Sequence, residues 1–229
     1  MSVAQFEKDE QFMRLVRREP DVDLVVAALE LARDEQPDLQ FEPTLQKLRT
    51  AVSELTRPIA MAGDDLSELQ LLVGYLTDEL NLHGDHDCYE QSSGSYLNVV
   101  LESGKGLPIA LSVVYMAVAA ELGIPLQGIA APAHFITRLE TPARPVYVDP
   151  FRNGTIMEHE ECVSWLSEIT EMARADIRPT LKPASPRQIV IRMLNNLKGV
   201  FGSQERWRSA WKVQGRLAAL SPGSYRELR

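Results

Sequence analysis

The pair of residues best suited to chemistry in this sequence is His134 with Asp149. A neutral imidazole takes a proton from a nucleophile and hands it to a leaving group, while a carboxylate behind it fixes the ring and its tautomer. The segments that carry the two residues read as strands, His134–Glu140 and Pro145–Asp149, joined by a turn at Thr141–Arg144. A hairpin centred on that turn pairs Ile136 with Asp149 and His134 with Phe151. His134 and Asp149 are then diagonal neighbours on one face, within reach of each other. A slip of one residue in register would separate them. Such a pair has three readings: catalysis, a retained ligand contact, or the mutual satisfaction of two buried polar groups.

A nucleophile for the pair is harder to find. The chain has two cysteines. Cys88 lies in a polar loop, HGDHDCYEQSSGS, from which it could fold over the pair. Cys162 sits in an amphipathic pattern near Trp165 and Leu166, where a cysteine is ordinarily a small core residue. His83, Asp85, His86, Asp87 and Cys88 are of the right types for zinc, but their spacing matches no finger and no second cluster adds ligands. The expectation is a solvated loop and no metal. Gly104-Lys105-Gly106 is too short to cradle a phosphate, and no cofactor motif appears.

Five blocks in order carry a resemblance: SYLNVVL from Ser95, GLPIALS from Gly106, LGIPL from Leu122, PAHF from Pro132 and DPF from Asp149. The segment resembles the transglutaminase-like superfamily, which has a papain-like cysteine core, and within it the bacterial SirB-type branch. The resemblance implies a triad: a thiolate at a helix N-terminus, where the helix end lowers its pKa, with a histidine and a carboxylate on neighbouring strands. His134 then matches the histidine and Asp149 the carboxylate. The position of the cysteine falls on Pro108, which has neither nucleophile nor N–H, and Ala110 stands where the branch carries serine. Ser112 is one turn further into an apolar helix and reads as buried and inert. Asn98, in the SYLN block, could cap or bond the loop before that helix, so Asn98 and Pro108 are the candidate binding positions beside the half-triad.

Around this segment the elements that must hold it read as mostly helical. Leu24, Ala27, Ala28 and Leu31 follow a helical period up to Pro37, and a second helix runs from Pro43 to Thr56. Pro58 and Gly63 interrupt, and Asp64-Asp65 supply the cap and first-turn charge of a third helix, Leu66–Leu82. A short helix, Tyr96–Glu102, precedes one from Pro108 to Leu122 that is apolar nearly all round and so must be central. Gly123 stops it, a strand follows at Leu126–Ala131, and a further helix at Glu158–Ala173. Pro179, Pro183 and Pro186 mark a linker to two last helices, Arg187–Phe201 and Glu205–Leu220. This hairpin has the length of one tetratricopeptide unit, and such a unit buries its apolar face only on a neighbour.

With 229 residues, 45% of them hydrophobic and 24% charged, the chain reads as an ordinary globular protein. No export signal is apparent at the start, the longest apolar run is too short to span a bilayer, and two cysteines suit a reducing compartment, so a cytoplasmic location is expected. Residues 182–229 hold ten Lys/Arg and two Asp/Glu, against fourteen and thirty in residues 1–181. The acidic body excludes nucleic acid and anionic membrane as partners, and only the basic tail could attract an acidic one. Alternatively the tail packs on the acidic body of its own chain.

These readings combine into an α+β, mostly helical protein. Residues 1–178 form a transglutaminase-like domain, with a helical lobe (1–90) and a papain-like core (91–155) of one central helix on a small antiparallel sheet. Residues 185–229 form a tetratricopeptide-like helix pair that docks on the core or pairs with a second copy as a homodimer. The expected function is a degenerate, non-catalytic member, a pseudoenzyme that binds a protein or peptide or serves as a regulatory scaffold. The alternative is an amide hydrolase or acyl transferase that uses His134 and Asp149 with a thiol or hydroxyl from elsewhere.

Overall fold

The computed structural model describes residues 6–221, and the helical start of the chain is four helices there: α1 (Glu10–Arg17), α2 (Leu24–Ala32), α3 (Glu42–Ala60) and α4 (Asp65–Gly74). The outer ends of the two expected units, residues 1–5 and 222–229, lie outside the described residues. Asp23 and Asp64 cap α2 and α4 by accepting the N–H of Val26 and Ser67. α1 is an addition to the sequence reading, although its short segment segregates Phe12, Met13 and Leu15 to one buried face. The third helix, expected to run unbroken to Leu82, is α4 followed by a π-helical turn, Tyr75–Glu79. α3 runs past Pro58, which loses only one bond because the helix ends two residues later.

The polar loop begins with a two-residue strand, β1 (His83–Gly84), and contains two 3-10 turns, His86–Tyr89 and Ser92–Ser95. Then come α5 (Leu97–Ser103), β2 (Lys105–Gly106), which pairs in parallel with β1, and α6 (Pro108–Glu121). α6 is the central helix: ten of its residues, from Pro108 to Ala119, are buried. It lies on an antiparallel sheet of β3 (Gln127–Ile129), β4 (Ile136–Leu139), β5 (Val146–Asp149) and β6 (Thr155–Glu158), in that order. β6, like the two-residue β1 and β2, is a strand the sequence did not reveal.

β4 pairs Thr137 with Val148, Arg138 with Tyr147 and Leu139 with Val146, which is the register the turn at Thr141–Arg144 sets. Alternation then divides the sheet. Phe135, Leu139 and Val148 join the large core around α6, whereas Ile136, Tyr147 and Met157 join a smaller core under the next helix, α7 (His159–Thr170). A short helix, α8 (Arg174–Ile177), closes that smaller core with Ile177.

The chain ends in a helix hairpin, α9 (Pro186–Ser203) and α10 (Trp207–Leu220). Ser185 and Gln188 form a reciprocal capping box at the start of α9, with Pro186 in the first turn. Ile189, Val190, Met193, Leu194 and Leu197 of α9 belong to the same core as α2 and α6, so the hairpin docks on the body of its own chain. Basic residues just before α10 and along it meet Asp9, ahead of α1, and the acidic turn after α2. Arg216, 1% exposed, donates to Asp9 and Asp34 and lies between the rings of Phe6 and Phe12. Arg206 pairs with Glu35, and Lys212 donates to the Asp34 carbonyl. Trp207 and Trp211, one turn apart, stay on the outside. The fold is therefore α+β and mostly helical, with one central helix on a small antiparallel sheet.

Candidate functional site

His134 stands two residues before β4 rather than on it. Ala133 takes a left-handed conformation (φ 55°), and the His134 N–H donates to the Ala131 carbonyl, so a tight turn delivers the histidine to the strand end. Asp149 is the last residue of β5. The turn sets the pairing, and the pairing brings His134 Nε2 to 2.9 Å from Asp149 Oδ1. The same oxygen accepts the Phe151 N–H at 3.0 Å, because Asp149 also caps the 3-10 turn Pro150–Arg152. Asp149 is fully buried and His134 is 7% exposed. With Nε2 committed to the carboxylate, Nδ1 is the nitrogen left for a proton, a ligand or a nucleophile.

Aromatic rings enclose the imidazole. The Trp165 ring of α7 lies 5.0 Å away at 87°, and the Phe151 ring 5.9 Å away at 84°, both edge to face. The Arg152 guanidinium covers the Trp165 ring at 4.8 Å. Phe151 in turn carries the polar loop, through His86 at 5.2 Å and Tyr89 at 5.9 Å between ring centres. Gly84 permits this approach: a Cβ there would stand 2.3 Å from the Phe151 ring. The hairpin register already sets Phe151 opposite His134, but nothing in the sequence signals that Trp165, on a helix packed under the sheet, meets His134.

Among the described residues, no hydrogen bond joins the His134 ring to a sulfur or a hydroxyl. Cys88 is buried against Gly94, and burial, helped by the Asp85 charge, pushes its thiol pKa up. Cys162 is completely buried in the smaller core, and burial, with the Asp149 carboxylate second, pushes it up to about 12. Both are therefore thiols rather than thiolates at neutral pH.

Pro108 occupies the first position of α6, after Leu107 in extended conformation, and is buried. Ala110 and Ser112 are buried too. Ser112 Oγ, Tyr115 Oη and Asp149 Oδ2 are enclosed without a protein hydrogen-bond partner. Ser112 and Tyr115 share the face of α6 that begins at Pro108, and burial raises the Tyr115 phenol pKa, the Asp149 carboxylate adding to it. Asn98 lies elsewhere: its Nδ2 donates to Gln36 Oε1 at 2.8 Å and ties α5 to the turn after α2. In the polar loop, Asp85 pairs with Lys105 at 2.8 Å, which holds its carboxyl below the usual range, and His83 Nδ1 meets the Asn81 carbonyl. Among the described residues, no three His, Cys, Asp or Glu side chains converge as a metal site would require, and no helix is long and apolar enough to cross a membrane.

This geometry agrees with the family pattern described as the transglutaminase-like superfamily, which matches residues 42–195. The chain belongs to that superfamily. It is 34% identical to a UPF0162 protein of Xylella fastidiosa (strain Temecula1 / ATCC 700964), over 90% of this chain and 74% of that one. It is 26% identical to a UPF0162 protein of Vibrio cholerae, over 91% and 77%. It is also 25% identical to F-box only protein 21 of Mus musculus, over 77% of this chain but 27% of that protein. No solved structure matches. The transglutaminase-like match covers α3 to the middle of α9, and so includes both residues of the His134–Asp149 pair and the start of α6.

Proposed function

We propose that this chain is a non-catalytic transglutaminase-like protein, a cytoplasmic binding or regulatory scaffold of the SirB type that takes a protein or peptide partner. The observation that carries this reading is Pro108 at the first turn of α6, where the resemblance puts a thiolate. Two further facts support it. Both cysteines are buried, with their pKa values pushed upward. Arg206, just before α10, and Lys212 and Arg216 on it are engaged with acidic residues of their own chain. In this reading His134 and Asp149 hold the turn of β4 to the end of β5 and offer Nδ1 as a polar contact among aromatic rings. The tetratricopeptide-like hairpin braces the domain.

A second reading is an amide hydrolase or acyl transferase. It is favoured by the 2.9 Å contact between His134 and Asp149, the arrangement a working base needs. One experiment separates the two. The purified chain is assayed for hydrolysis of, and amine transfer to, a glutamine-containing model peptide, with and without iodoacetamide. The scaffold reading expects no turnover above background in the native chain, in Cys88→Ala or in His134→Ala. Turnover that iodoacetamide blocks, and that Cys88→Ala and His134→Ala both abolish, would establish the enzyme instead.

A further inference from the structure

A groove of about 1130 Å³ runs along α6 between α2, α3, β3 and the start of α9. That exceeds the usual size of a small-molecule pocket, about 300–1,000 Å³. Its floor is core: Val25, Leu48, Val113 and Ile189 are buried. Its walls are not. Leu24, Leu45, Val52, Met116 and Ala117 are apolar and only half-buried. A continuous apolar surface left half-covered between helices marks a place where another surface docks.

The charge of the rim narrows what that surface can be. Asp21, Asp23 and Glu121 stand on it, all exposed. Glu121 closes α6, whose last turn has no basic residue, so its carboxylate sits beside carbonyls that are already partly negative. Among the described residues no salt bridge joins the carboxylates of Asp21, Asp23 or Glu121 to a cation, although Arg14 donates to the Asp21 backbone carbonyl and the Asp23 carboxylate accepts the Val26 N–H as the cap of α2. The rim's Arg49 is held by Glu42. An apolar trough with exposed acids on its rim calls for an occupant that is apolar along its length and carries a cation to meet them.

We propose that this groove is the docking site for an amphipathic helix of a partner protein, whose apolar face lies on Met116 and Ala117 and which carries Lys or Arg to meet Glu121 and Asp21. A helix laid in a groove presents side chains at i, i+3, i+4 and i+7, which suits a trough bounded by helices. The proposal shares the idea of a protein partner with the scaffold reading but places it in this groove, whose lining does not include His134 or Asp149.

The test uses the full chain and two fluorescein-labelled peptides of about four helical turns, with leucine at i, i+3, i+4 and i+7 and either lysine or glutamate at both ends. Fluorescence anisotropy should show the lysine peptide binding, with the glutamate peptide weaker by about tenfold or more. Asp21→Asn with Glu121→Gln should narrow that ratio to near one, and Met116→Asp should abolish binding with the circular dichroism unchanged. His134→Ala should leave binding intact, so failure of the scaffold reading at His134 and failure here are separable. Equal binding of the two peptides, or no binding, overturns the proposal. So does a dimer in sedimentation that Met116→Asp dissolves, which would assign the groove to a second copy. An acyl compound that co-purifies and is lost in Met116→Asp would overturn it in favour of a small apolar ligand.

Discussion

At the level of single residues, the arrangement around His134 explains why Asp149 is fully buried although it is an acid. One of its oxygens serves two donors, His134 Nε2 and the Phe151 N–H. Removing the carboxylate strands both in a site walled by rings, and each stranded buried donor costs about 1–3 kcal/mol. Asp149→Ala should therefore lower the unfolding free energy by roughly 2 kcal/mol or more, read from urea denaturation. Asp149→Asn should cost less, because an amide oxygen in the place of Oδ1 still accepts both bonds, though without the carboxylate charge. If Asp149→Ala costs no more than a surface substitution, the pair is not what holds the turn of β4 to β5. The sequence already gave grounds to place these two side chains together, because a short turn of known centre dictates which residues face each other. It did not reveal the Trp165 ring. Trp165 reaches His134 from α7, and nothing local to either segment records that packing.

Whole elements were legible wherever one periodicity ran long enough. α6 is apolar on every side and is central, and α2, α3 and the two last helices follow their apolar stripes. β6 is four residues with half its pattern intermediate in burial, too short for alternation to speak. α1, charged at both ends, is ordered by its neighbours: Glu30 of α2 accepts the N–H groups of Gln11 and Phe12 in its first turn. The polar loop was read as solvated, yet its start is fastened by the β1–β2 pairing and by Gly84 against Phe151. That contact gives a sharp prediction. A methyl group at Gly84 overlaps the Phe151 ring and its carbonyl oxygen, and overpacking of this kind costs about 1–3 kcal/mol. Gly84→Ala should lower the melting temperature. It should also shift the amide resonances of His86, Tyr89 and Phe151, while those of α10 stay in place. A variant as stable as the native chain, with those resonances unmoved, would show that the loop does not rest on Phe151.

The whole molecule is closed by an ion cluster that joins its first helices to its last, across a sequence separation too long for any local pattern to show. Arg216 reaches Asp9 and Asp34, and Glu30 lies beside them. Arg216→Met would leave Asp34 without its cation and Asp9 with Arg33 alone, and breaking a buried pair on one side costs about 3–5 kcal/mol, an upper figure here because Arg33 remains. The expected result is loss of that order in urea denaturation, with α10 the first element to lose amide protection. Glu30 adds a dependence on pH. Burial raises its carboxyl from the ordinary 4.5 to about 7, the Asp9 charge adds to this, and the bonds from Phe12 and Gln11 and the Arg33 charge oppose it. The folded chain thus holds this proton over a window in which the unfolded chain has released it. The resulting stability is fully present below 4.5 and disappears as the pH rises through about 7. A shift of that size is worth at most about 3 kcal/mol. Urea denaturation of the native chain and of Glu30→Gln, each at a pH below and a pH above this window, isolates the contribution from all other titrating groups. The loss of stability on going to the higher pH should be smaller in Glu30→Gln, whose amide cannot ionise. Equal losses in the two proteins would mean that Glu30 ionises in the folded state much as it does in the unfolded one, and that the cluster around Arg216 carries it as a charge throughout.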